Sequence, residues 1–474
     1  MNIRDDFILK DIHEGYLVGG YIRDYILGKG INDLKDRDIA IKGAEEFTKK
    51  LAVKLDATFI TLDSENKIYR LVLKDKENYL DISELCGNTI EEDLIRRDFT
   101  INAIAYDLKE NRFIDVTGGI DDIKNKCINA IREENFTDDP LRILRAFRFM
   151  ATTGFGINKE LENILIKHKN LLHLPSKERI RDEIMKLFGG RGKCTSETLI
   201  KMLDMGILEL IFPCVNDIKK IPSNSHHHLD LIHHVIETVR QIELFYEEVS
   251  ATTPNLPQRE RISLLPEIKN HLDKIDFGGY PRINHLKLAG FLHDIGKPST
   301  WTIEESGRHR FIGHDLEGEK LVKLLLKNLK FSNKQIDYIS KMVRYHIYPS
   351  NVIVSPNLDN KIMMRYIRKM GDNVIDNIIL AKADRLSAQG EAVTHEMTEQ
   401  NLSGLDKLLN FYLKVKPTLK PLPKLLDGVE IMQISGLKQS PALGKIIKEL
   451  HEAQLNGDIN TKEEAVIFVN SLCK

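Results

Sequence analysis

The sequence has little cysteine, little tryptophan and almost no net charge. Its 474 residues include five cysteines and one tryptophan, and 69 basic residues nearly balance 70 acidic ones. The cysteines are scattered and form no C-x-x-C pair, which argues against a zinc ribbon or a disulfide framework and for a reducing cytosol. A net charge of −1 excludes nucleic-acid binding by overall charge, so any phosphate-binding surface must be a local basic patch.

Long apolar runs are also missing. No stretch approaches the ~18 consecutive apolar residues that a membrane-spanning helix needs. The N-terminal stretch MNIRDDFILKDIHEG has neither the apolar core nor the cleavage site of a secretory signal. We therefore expect a cytoplasmic protein without membrane contact. With 42% hydrophobic residues the chain is globular, and its length suggests about three domains at ~150 residues each.

The pattern of the chain changes near residue 140. Before this point short strand patterns interleave with helix patterns, and after it apolar residues recur at helical spacing. We predict an α+β protein in which a small mixed β-sheet domain precedes all-α domains. The long polar stretch 247–282, which contains prolines, is interpreted as an insertion loop. The predicted elements are strands at 15–20, 38–41, 69–73 and 79–82, and helices at 21–27, 179–188, 229–246, 284–296, 316–329 and 334–347.

The first chemical constellation is a glycine pair followed by paired aspartates. Gly19 and Gly20 let the backbone approach phosphates closely, and Arg23 can grip a phosphate with two hydrogen bonds. Asp36 and Asp38 lie two positions apart as the chain enters a predicted strand, so both carboxylates point to one face. Such a pair can hold two Mg²⁺ ions about 4 Å apart, which indicates metal-dependent phosphoryl transfer.

A third carboxylate often completes such a site, and Asp81 on the predicted strand 79–82 is our candidate. Taken alone, a Gly-Gly pair is usually only a turn, and D-x-D is usually solvated surface. The order and spacing of these residues favour a functional interpretation.

Two further motifs extend the pattern. RRDFTINA occupies residues 96–103, and DDPLRILRAFRF occupies residues 138–149. Together with LVGGYIRDYILG and the DRD triplet, they resemble the class II tRNA nucleotidyltransferases, or CCA-adding enzymes. They are also similar to bacterial poly(A) polymerases, which share this head domain. The resemblance implies an enzyme that adds C and A to the 3′ end of tRNA from CTP and ATP, with Mg²⁺ and without a nucleic-acid template.

The resemblance also assigns roles to residues. Asp36 and Asp38 would hold the metal ions, and Asp139 and Arg142 would read the incoming base. An Asp–Arg pair offers one acceptor and one donor, which suits cytosine and adenine because both present an amine beside a ring nitrogen. The implied nucleotide-binding residues are Gly19, Gly20, Arg23, Arg97, Asp98, Asn102, Asp139, Arg142, Arg145 and Arg148.

The stretch between Asp81 and Arg96 departs from the family pattern. Full CCA-adding enzymes often carry a longer flexible loop here, which helps the switch from CTP to ATP. A missing loop is a feature of enzymes that add only CC. A CC-adding enzyme, an A-adding enzyme and a poly(A) polymerase therefore stay open as alternatives.

The second constellation is FLHDIGKP at residues 291–298, which resembles the signature of HD phosphohydrolases. His293 and Asp294 need further ligands, and Lys297 is placed to steady a phosphate. Imidazole and carboxylate ligands suit Mn, Fe, Ni, Zn or Mg, so the metal and the number of ions stay open. The candidate metal ligands are His234, His293, Asp294, His314, His346 and Asp384. We interpret His226, His227, His228, His233 and His309 as ordinary histidines.

The fusion of both constellations resembles a subset of bacterial CCA-adding enzymes whose HD domain hydrolyses 2′,3′-cyclic phosphates or other phosphoesters. The implied domains are a nucleotidyltransferase head at 1–139, a helical neck at 140–220, an HD domain at 221–395 and a tRNA-binding helical tail at 396–474. The expected partners are tRNA, CTP and ATP, and no protein partner is implied. An alternative of another class is an HD phosphohydrolase with an RNA-binding head, against which the intact head motifs argue.

Overall fold

The structure is a computed structural model that describes residues 3–34, 37–250, 265–355, 358–419 and 422–473. The chain divides into two compact units. The first contains Met1–Pro213 with Asn328–Phe331, and the second contains Cys214–Lys327 with Ser332–Lys474. Among the described residues no helix combines the length and the apolar character that crossing a bilayer requires.

A seven-stranded mixed sheet organises the first unit. Its strand order is β3-β4-β5-β2-β1-β6-β7, and every neighbouring pair is antiparallel except β2 and β5. The parallel pair needs a crossover, and α2, β3 and β4 provide it. The strands are β1 Tyr16–Val18, β2 Arg37–Ile41, β3 Thr58–Asp63, β4 Ile68–Val72, β5 Tyr79–Glu84, β6 Ile104–Asp107 and β7 Arg112–Asp115.

Helices surround this sheet and then continue the first unit. The apolar positions of α6 are buried while its arginines are only partly covered, as the helical periodicity of DDPLRILRAFRF predicts. Two short strands, β8 Cys127–Ile128 and β9 Gly156–Ile157, form a separate parallel pair. The helices are α1 Gly20–Ile26, α2 Ala44–Leu55, α3 Ile90–Ile95, α4 Gly119–Lys124, α5 Glu134–Asp138, α6 Arg142–Thr153, α7 Lys159–His168, α8 Lys177–Leu187, α9 Cys194–Asp204 and α10 Leu208–Ile211.

The second unit is almost entirely helical. Its centre is α14, all of whose residues are buried, and α12, α17 and α20 pack against it. Two small hairpins, β10 Ile275–Asp276 with β11 Tyr280–Pro281 and β12 Thr302–Ile303 with β13 His309–Arg310, interrupt the helices. The helices as far as α20 are α11 Val215–Ile218, α12 Leu231–Ser250, α13 Leu265–Asp273, α14 Arg282–Leu292, α15 Lys297–Thr300, α16 His314–Asn328, α17 Asn333–Tyr345, α18 Tyr348–Ile353, α19 Asn360–Met370 and α20 Val374–Ser387.

The C-terminal helices form a small apolar core of their own. It includes Ile431, Leu450, Ala465 and Val469 from α22 Gly428–Ser435, α23 Pro441–Asn456 and α24 Lys462–Leu472. The preceding helix, α21 His395–Val415, packs instead on α18 and α20.

The α+β class, with a mixed sheet first and helices after it, is confirmed. The interpretation of 247–282 as one insertion loop is wrong, because α12 continues to Ser250 and the helix α13 begins at Leu265. Residues 251–264 lie outside the described part of the chain. The apolar pair Ile268 and Leu272, spaced one helical turn apart, is fully buried and anchors α13.

Candidate active sites

The glycine turn lies directly against the paired-aspartate strand. Val18 on β1 pairs with Asp38 on β2, and Gly19 follows with φ +75° and ψ −141°. This conformation is nearly restricted to glycine. A Cβ at Gly19 would also lie 3.0 Å from Asp38 Oδ2. The turn therefore excludes a side chain beside the carboxylate, while Asp36 lies outside the described residues.

The sheet places Asp81 beside Asp38. The two residues are register partners on the parallel strands β2 and β5, so their side chains share one face. Arg70 is the register partner of Asp81 on the other side, and its guanidinium donates two hydrogen bonds of 2.7 Å to the Asp81 carboxylate. Arg70 also stacks over the Tyr79 ring at 4.2 Å.

A buried polar chain connects the glycine turn to α6. Arg23 Nη1 donates to Asn102 Oδ1 at 2.9 Å, and Asn102 Nδ2 donates to Asp98 Oδ1 at 3.0 Å. Arg145 Nε donates to Asp98 Oδ2 at 2.8 Å. Burial alone would raise the pKa of Asp98, but Arg145 and Asn102 outweigh it and lower that pKa. These hydrogen bonds keep Asp98 ionised and orient Arg23 and Arg145.

Phe149 lies beneath three guanidinium groups. Its ring centroid is 4.0 Å from Cζ of Arg148, 5.3 Å from Arg23 and 5.7 Å from Arg145. Such cation–π contacts orient cations without neutralising them. Burial lowers the pKa of Arg148 to about 10, although Glu183 lies 3.3 Å from its Nε.

The two residues expected to read the base are adjacent but do not bond to each other through their side chains. Arg142 donates to the backbone carbonyls of Arg96, Asn135 and Arg97 at 2.8, 3.2 and 3.5 Å, which uses three of its five N–H donors. Asp139 instead accepts from Arg179 Nη2 at 2.8 Å. Arg179 on α8 was missed by sequence reasoning, because nothing local links it to Asp139.

One cavity of about 680 Å³ brings these groups together, within the about 300–1,000 Å³ usual for ligand sites. Every predicted head residue that the structure describes lines it. These are Gly19, Gly20, Arg23, Asp38, Asp81, Arg97, Asp98, Asn102, Asp139, Arg142, Arg145 and Arg148. Sequence reasoning missed Arg70, Tyr79 and Lys186 in the lining, although Tyr79 shares a strand face with Asp81.

The second unit brings the six predicted HD ligands together, with Asp294 at their centre. Its Oδ2 lies 3.1 Å from His293 Nε2 and 3.3 Å from His234 Nε2, and its Oδ1 lies 3.5 Å from His314 Nε2 and 3.7 Å from His346 Nε2. Asp384 Oδ1 lies 3.2 Å from His234 Nε2 and 3.5 Å from His293 Nε2. The two oxygens of Asp294 therefore face two separate groups of donors.

Backbone carbonyls orient the imidazoles. The Nδ1 atoms of His293, His314 and His346 lie 2.7–2.8 Å from the carbonyl oxygens three residues before them. This leaves each Nε2 directed toward Asp294. Metal-ligating histidines usually have this arrangement, in which one ring nitrogen is hydrogen-bonded and the other is available to the metal. His234 Nε2, His293 Nε2 and Asp294 Oδ1 are buried and make no well-aligned hydrogen bond among the described residues. These donors fit a divalent cation.

A glycine permits this assembly. A Cβ at Gly296 would lie 2.1 Å from the carbonyl oxygen of His314 and 2.6 Å from the Gly318 nitrogen. The glycine of the HDIGK segment therefore allows α16 to begin close enough for His314 to reach Asp294.

Lys297 completes the site. Its Nζ lies 2.6 Å from Asp294 Oδ2, and its side chain is only 9% exposed. Burial would raise the pKa of Asp294, but His293 and Lys297 outweigh it and hold that pKa well below its usual range. For His293, burial opposes protonation, yet Asp294 and Asp384 raise its pKa to about 10. Protons and metal ions compete for the same lone pairs in such a cluster.

His227 is a neighbour of this site that sequence reasoning set aside. Its ring centroid lies 4.5 Å from that of His234. Its Nδ1 is buried without a hydrogen-bond partner among the described residues. Burial and the Lys297 charge lower the pKa of His227 to about 3.

Taken together, the fold and the two sites define a class of protein: a nucleotidyltransferase head joined to an HD metal-binding domain. Comparisons with known families agree. Residues 15–129 match the family described as "Poly A polymerase head domain", and residues 231–389 match "HD domain". Residues 154–219 match "Probable RNA and SrmB- binding site of polymerase A". Family models thus match the head, the RNA-binding region and the HD domain in this order along the chain.

Relatives span the whole chain. A CC-adding tRNA nucleotidyltransferase of Thermus thermophilus is 28% identical over 472 residues, which is 98% of this chain and 95% of that protein. An A-adding tRNA nucleotidyltransferase of Deinococcus radiodurans is 28% identical over 460 residues, covering 96% and 94%. The structure of the Bacillus stearothermophilus CCA-adding enzyme in complex with CTP has a TM-score of 0.57 at 19% identity, covering 99% and 96%. At that identity the structural likeness concerns the fold.

Proposed function

We propose that this protein adds nucleotides to the 3′ end of tRNA, from CTP and ATP and without a nucleic-acid template. The observation that carries the proposal is the 680 Å³ cavity, in which carboxylates and arginines from separate parts of the head converge. The names of the two full-length relatives, both tRNA nucleotidyltransferases, supply the substrate class. We expect the enzyme to act in the cytoplasm.

The residues divide into three roles. Asp38 and Asp81, with Asp36, are proposed to hold two Mg²⁺ ions. Such ions would lower the pKa of the attacking 3′-hydroxyl and neutralise the charge of the departing pyrophosphate. Around them, Arg23 and the glycine turn are proposed to hold the triphosphate, and Arg97, Asp98 and Asn102 the ribose region. Asp139 and Arg142 are proposed to read the base, with Arg145 and Arg148 beside them.

We infer a second activity, hydrolysis of a phosphoester at the HD site. The two groups of donors on either side of Asp294 support a pair of divalent ions, and Mn, Fe, Ni, Zn and Mg are all compatible with these ligand types. A divalent ion held by these residues would supply an activated water for phosphoester hydrolysis. Lys297 is proposed to hold the phosphate, and 2′,3′-cyclic phosphates at tRNA ends are the candidate substrates.

The helical parts are proposed to bind the tRNA body. This assigns a base-reading and RNA-binding neck to 140–220 and a tRNA-binding tail to 396–474, on either side of an HD domain at 221–395. Recognition would rest on RNA shape and phosphate contacts, because the net charge is near zero.

The direct test incubates the purified protein and Mg²⁺ with tRNA transcripts that end before CCA, after C and after CC. Each transcript receives labelled CTP, ATP or both, and product lengths are read on a gel. Addition of C, C and then A, with a stop there, establishes CCA addition. Continued addition of A to unrelated RNA would indicate a poly(A) polymerase. No addition to any transcript would overturn the head proposal.

A CC-adding enzyme is the second candidate. In the structure only residues 85–89 join β5 to α3, so there is little room for a loop that switches nucleotides. The Thermus thermophilus relative is also named a CC-adding enzyme. This candidate predicts that the transcript ending before CCA stops after two C residues even when ATP is present.

Paired variants separate the two activities and test the alternative of a head that only binds RNA. Asp38→Ala should reduce addition by at least about a thousandfold, because lost metal binding removes several kcal/mol at about 1.4 kcal/mol per factor of ten. It should leave phosphoester hydrolysis unchanged. Asp294→Ala should do the reverse. Persistent addition by Asp38→Ala would show that the catalytic assignment is wrong.

A further inference from the structure

The loop 224–228 lies beside the HD site and is held by backbone hydrogen bonds. Within it, backbone hydrogen bonds of 2.9 and 3.1 Å join Asn224 and His227 in both directions. From the segment that follows α20, the Gly390 nitrogen donates to the His226 carbonyl at 2.9 Å, and the Ala392 nitrogen donates to the Ser225 carbonyl at 2.8 Å. Gly390 lies three residues beyond the end of α20, the helix that carries Asp384, so the loop is attached close to a proposed metal ligand.

This loop holds the His227 ring edge-on against His234, with the ring planes at 77°. Nδ1 of His227 is buried and has no hydrogen-bond partner in the described part of the chain. Burying a ring nitrogen without a partner is unfavourable, and such groups in native proteins call for an explanation. His227 belongs to none of the groups of donor atoms that lie within 4.8 Å of one another, so the geometry does not make it a metal ligand.

A small cavity lies next to this ring. His227, His234, Lys297, Asn224 and Phe311 are among the residues that line it. Its volume of about 10 Å³ suits one water or one oxygen atom of a bound group. Lys297 contributes a cation that touches Asp294, so an oxygen in this space would meet a positive charge beside the proposed metal ligands.

We propose that His227 is a substrate-binding residue of the HD site, which donates a hydrogen bond to a non-bridging oxygen of the phosphoester together with Lys297. The proposal rests on the hydrolase activity proposed above and adds a residue to it. The ligand chemistry is a phosphoryl group, whether in an ester or as inorganic phosphate.

The experiment compares two opposite substitutions in the full-length, metal-loaded protein. His227→Phe keeps a planar ring against His234 but removes the donor, and His227→Gln keeps a donor but removes the ring. His226→Ala, in the same loop but exposed, is the matched control. The measurements are bound metal by elemental analysis, the Kd of inorganic phosphate by calorimetry, and KM and kcat for a 2′,3′-cyclic nucleotide.

We expect His227→Phe to raise the phosphate Kd and the KM at least about tenfold, roughly the value of one hydrogen bond to a charged group. In His227→Gln and His226→Ala both values should stay within about threefold of the parent protein, and all variants should keep their metal and their nucleotide addition.

The reverse order, with His227→Gln binding phosphate more weakly than His227→Phe, would mean that the ring only packs against His234. Metal loss in His227→Phe would identify a ligand instead, and unchanged phosphate binding would also overturn the proposal. If the parent protein hydrolyses no phosphoester, the proposed activity fails, while the phosphate Kd still decides the role of His227.

Discussion

Gly19 is a single residue on which the geometry of the head site depends. Its φ of +75° lies where side chains are strained, and its missing Cβ leaves room for the Asp38 carboxylate. We expect Gly19→Ala to destabilise the protein by about 1–3 kcal/mol through backbone strain. It should also lower nucleotide addition at least about tenfold, because the carboxylate must shift. Thermal unfolding and initial rates of CTP incorporation would measure the two effects.

Gly28→Ala is the control for strain alone, since Gly28 has a φ of +82° and no atom within 4 Å of the added Cβ. It should lose stability but keep its activity. Equal losses of activity in both variants would contradict the role given to the Asp38 contact.

Arg179 orients the Asp139 carboxylate through a hydrogen bond of 2.8 Å. Because Arg179 is 53% exposed, its ion pair contributes little to stability, about 0–1 kcal/mol. We expect Arg179→Met to leave the melting temperature unchanged. It should reduce discrimination against UTP and GTP about tenfold, which corresponds to a loss of about 1.4 kcal/mol in the free-energy difference between correct and incorrect nucleotides. Competition assays with nucleotide pairs would measure the ratio. Arg181→Met, two positions along the same helix, is the matched control, and equal selectivity in both variants would contradict this role.

At the scale of elements, a buried ionic network joins four helices of the second unit. Asp376 on α20 accepts from Arg282 on α14 at 3.0 Å and from the Tyr338 hydroxyl on α17 at 2.8 Å, and it lies 2.8 Å from His271 Nε2 on α13. Asp376 is fully buried. Removing one member of a buried network leaves an uncompensated charge, which costs more than the network itself contributes.

We therefore expect Asp376→Asn to destabilise the second unit by about 3–5 kcal/mol, because Arg282 stays buried without its anion. The control is Asp217→Asn, which removes an exposed pair with Lys220 and should change stability by less than about 0.5 kcal/mol. Urea unfolding of both variants would show the difference. Equal midpoints would contradict a central role for the network.

We also expect the contribution of Asp376 to stability to depend on pH. Burial would raise the pKa of Asp376, but His271 and Arg282 outweigh it and lower that pKa. A carboxyl whose pKa is lower in the folded state contributes fully above its unfolded pKa of about 3.9, and the contribution is lost as pH falls through the folded value. The stability gap between the parent and Asp376→Asn should thus narrow below about pH 4. Urea unfolding at pH 6, 4 and 3 measures it, and a constant gap would contradict the prediction.

For the whole molecule, the proposed tRNA contacts of the tail should depend on salt. Lys438 and Lys448 are exposed in the C-terminal helical region. The tRNA association constant falls as salt rises, and each phosphate contact adds about 0.7–0.9 to the steepness of log K against log salt concentration. The double variant Lys438→Ala, Lys448→Ala should therefore make this dependence shallower by about 1–2. Exposed Lys49 and Lys50 of α2, which pair with Glu45 and Glu46, provide a control double variant. An unchanged slope in the tail variant would place the tRNA elsewhere.

The sequence by itself determined the kinds of residue, their order and the face of each element on which they lie. Strand alternation and helical spacing are local properties, so Gly19, Asp38, the arginines of α6 and the HD pair could be recognised from the order of residues along the chain. The mixed sheet followed by helices could be predicted from the same periodicities.

Only the tertiary structure decided which distant residues meet. Three arrangements join separate elements: the parallel register that sets Asp81 beside Asp38, the Arg179 contact with Asp139 and the convergence of four histidines on Asp294. Their pairing depends on how whole sheets and helices pack, which no local pattern encodes. His227 was overlooked for that reason. It is distinctive only in the folded protein, where its loop is hydrogen-bonded to the segment after α20, its ring contacts His234 and its Nδ1 is buried.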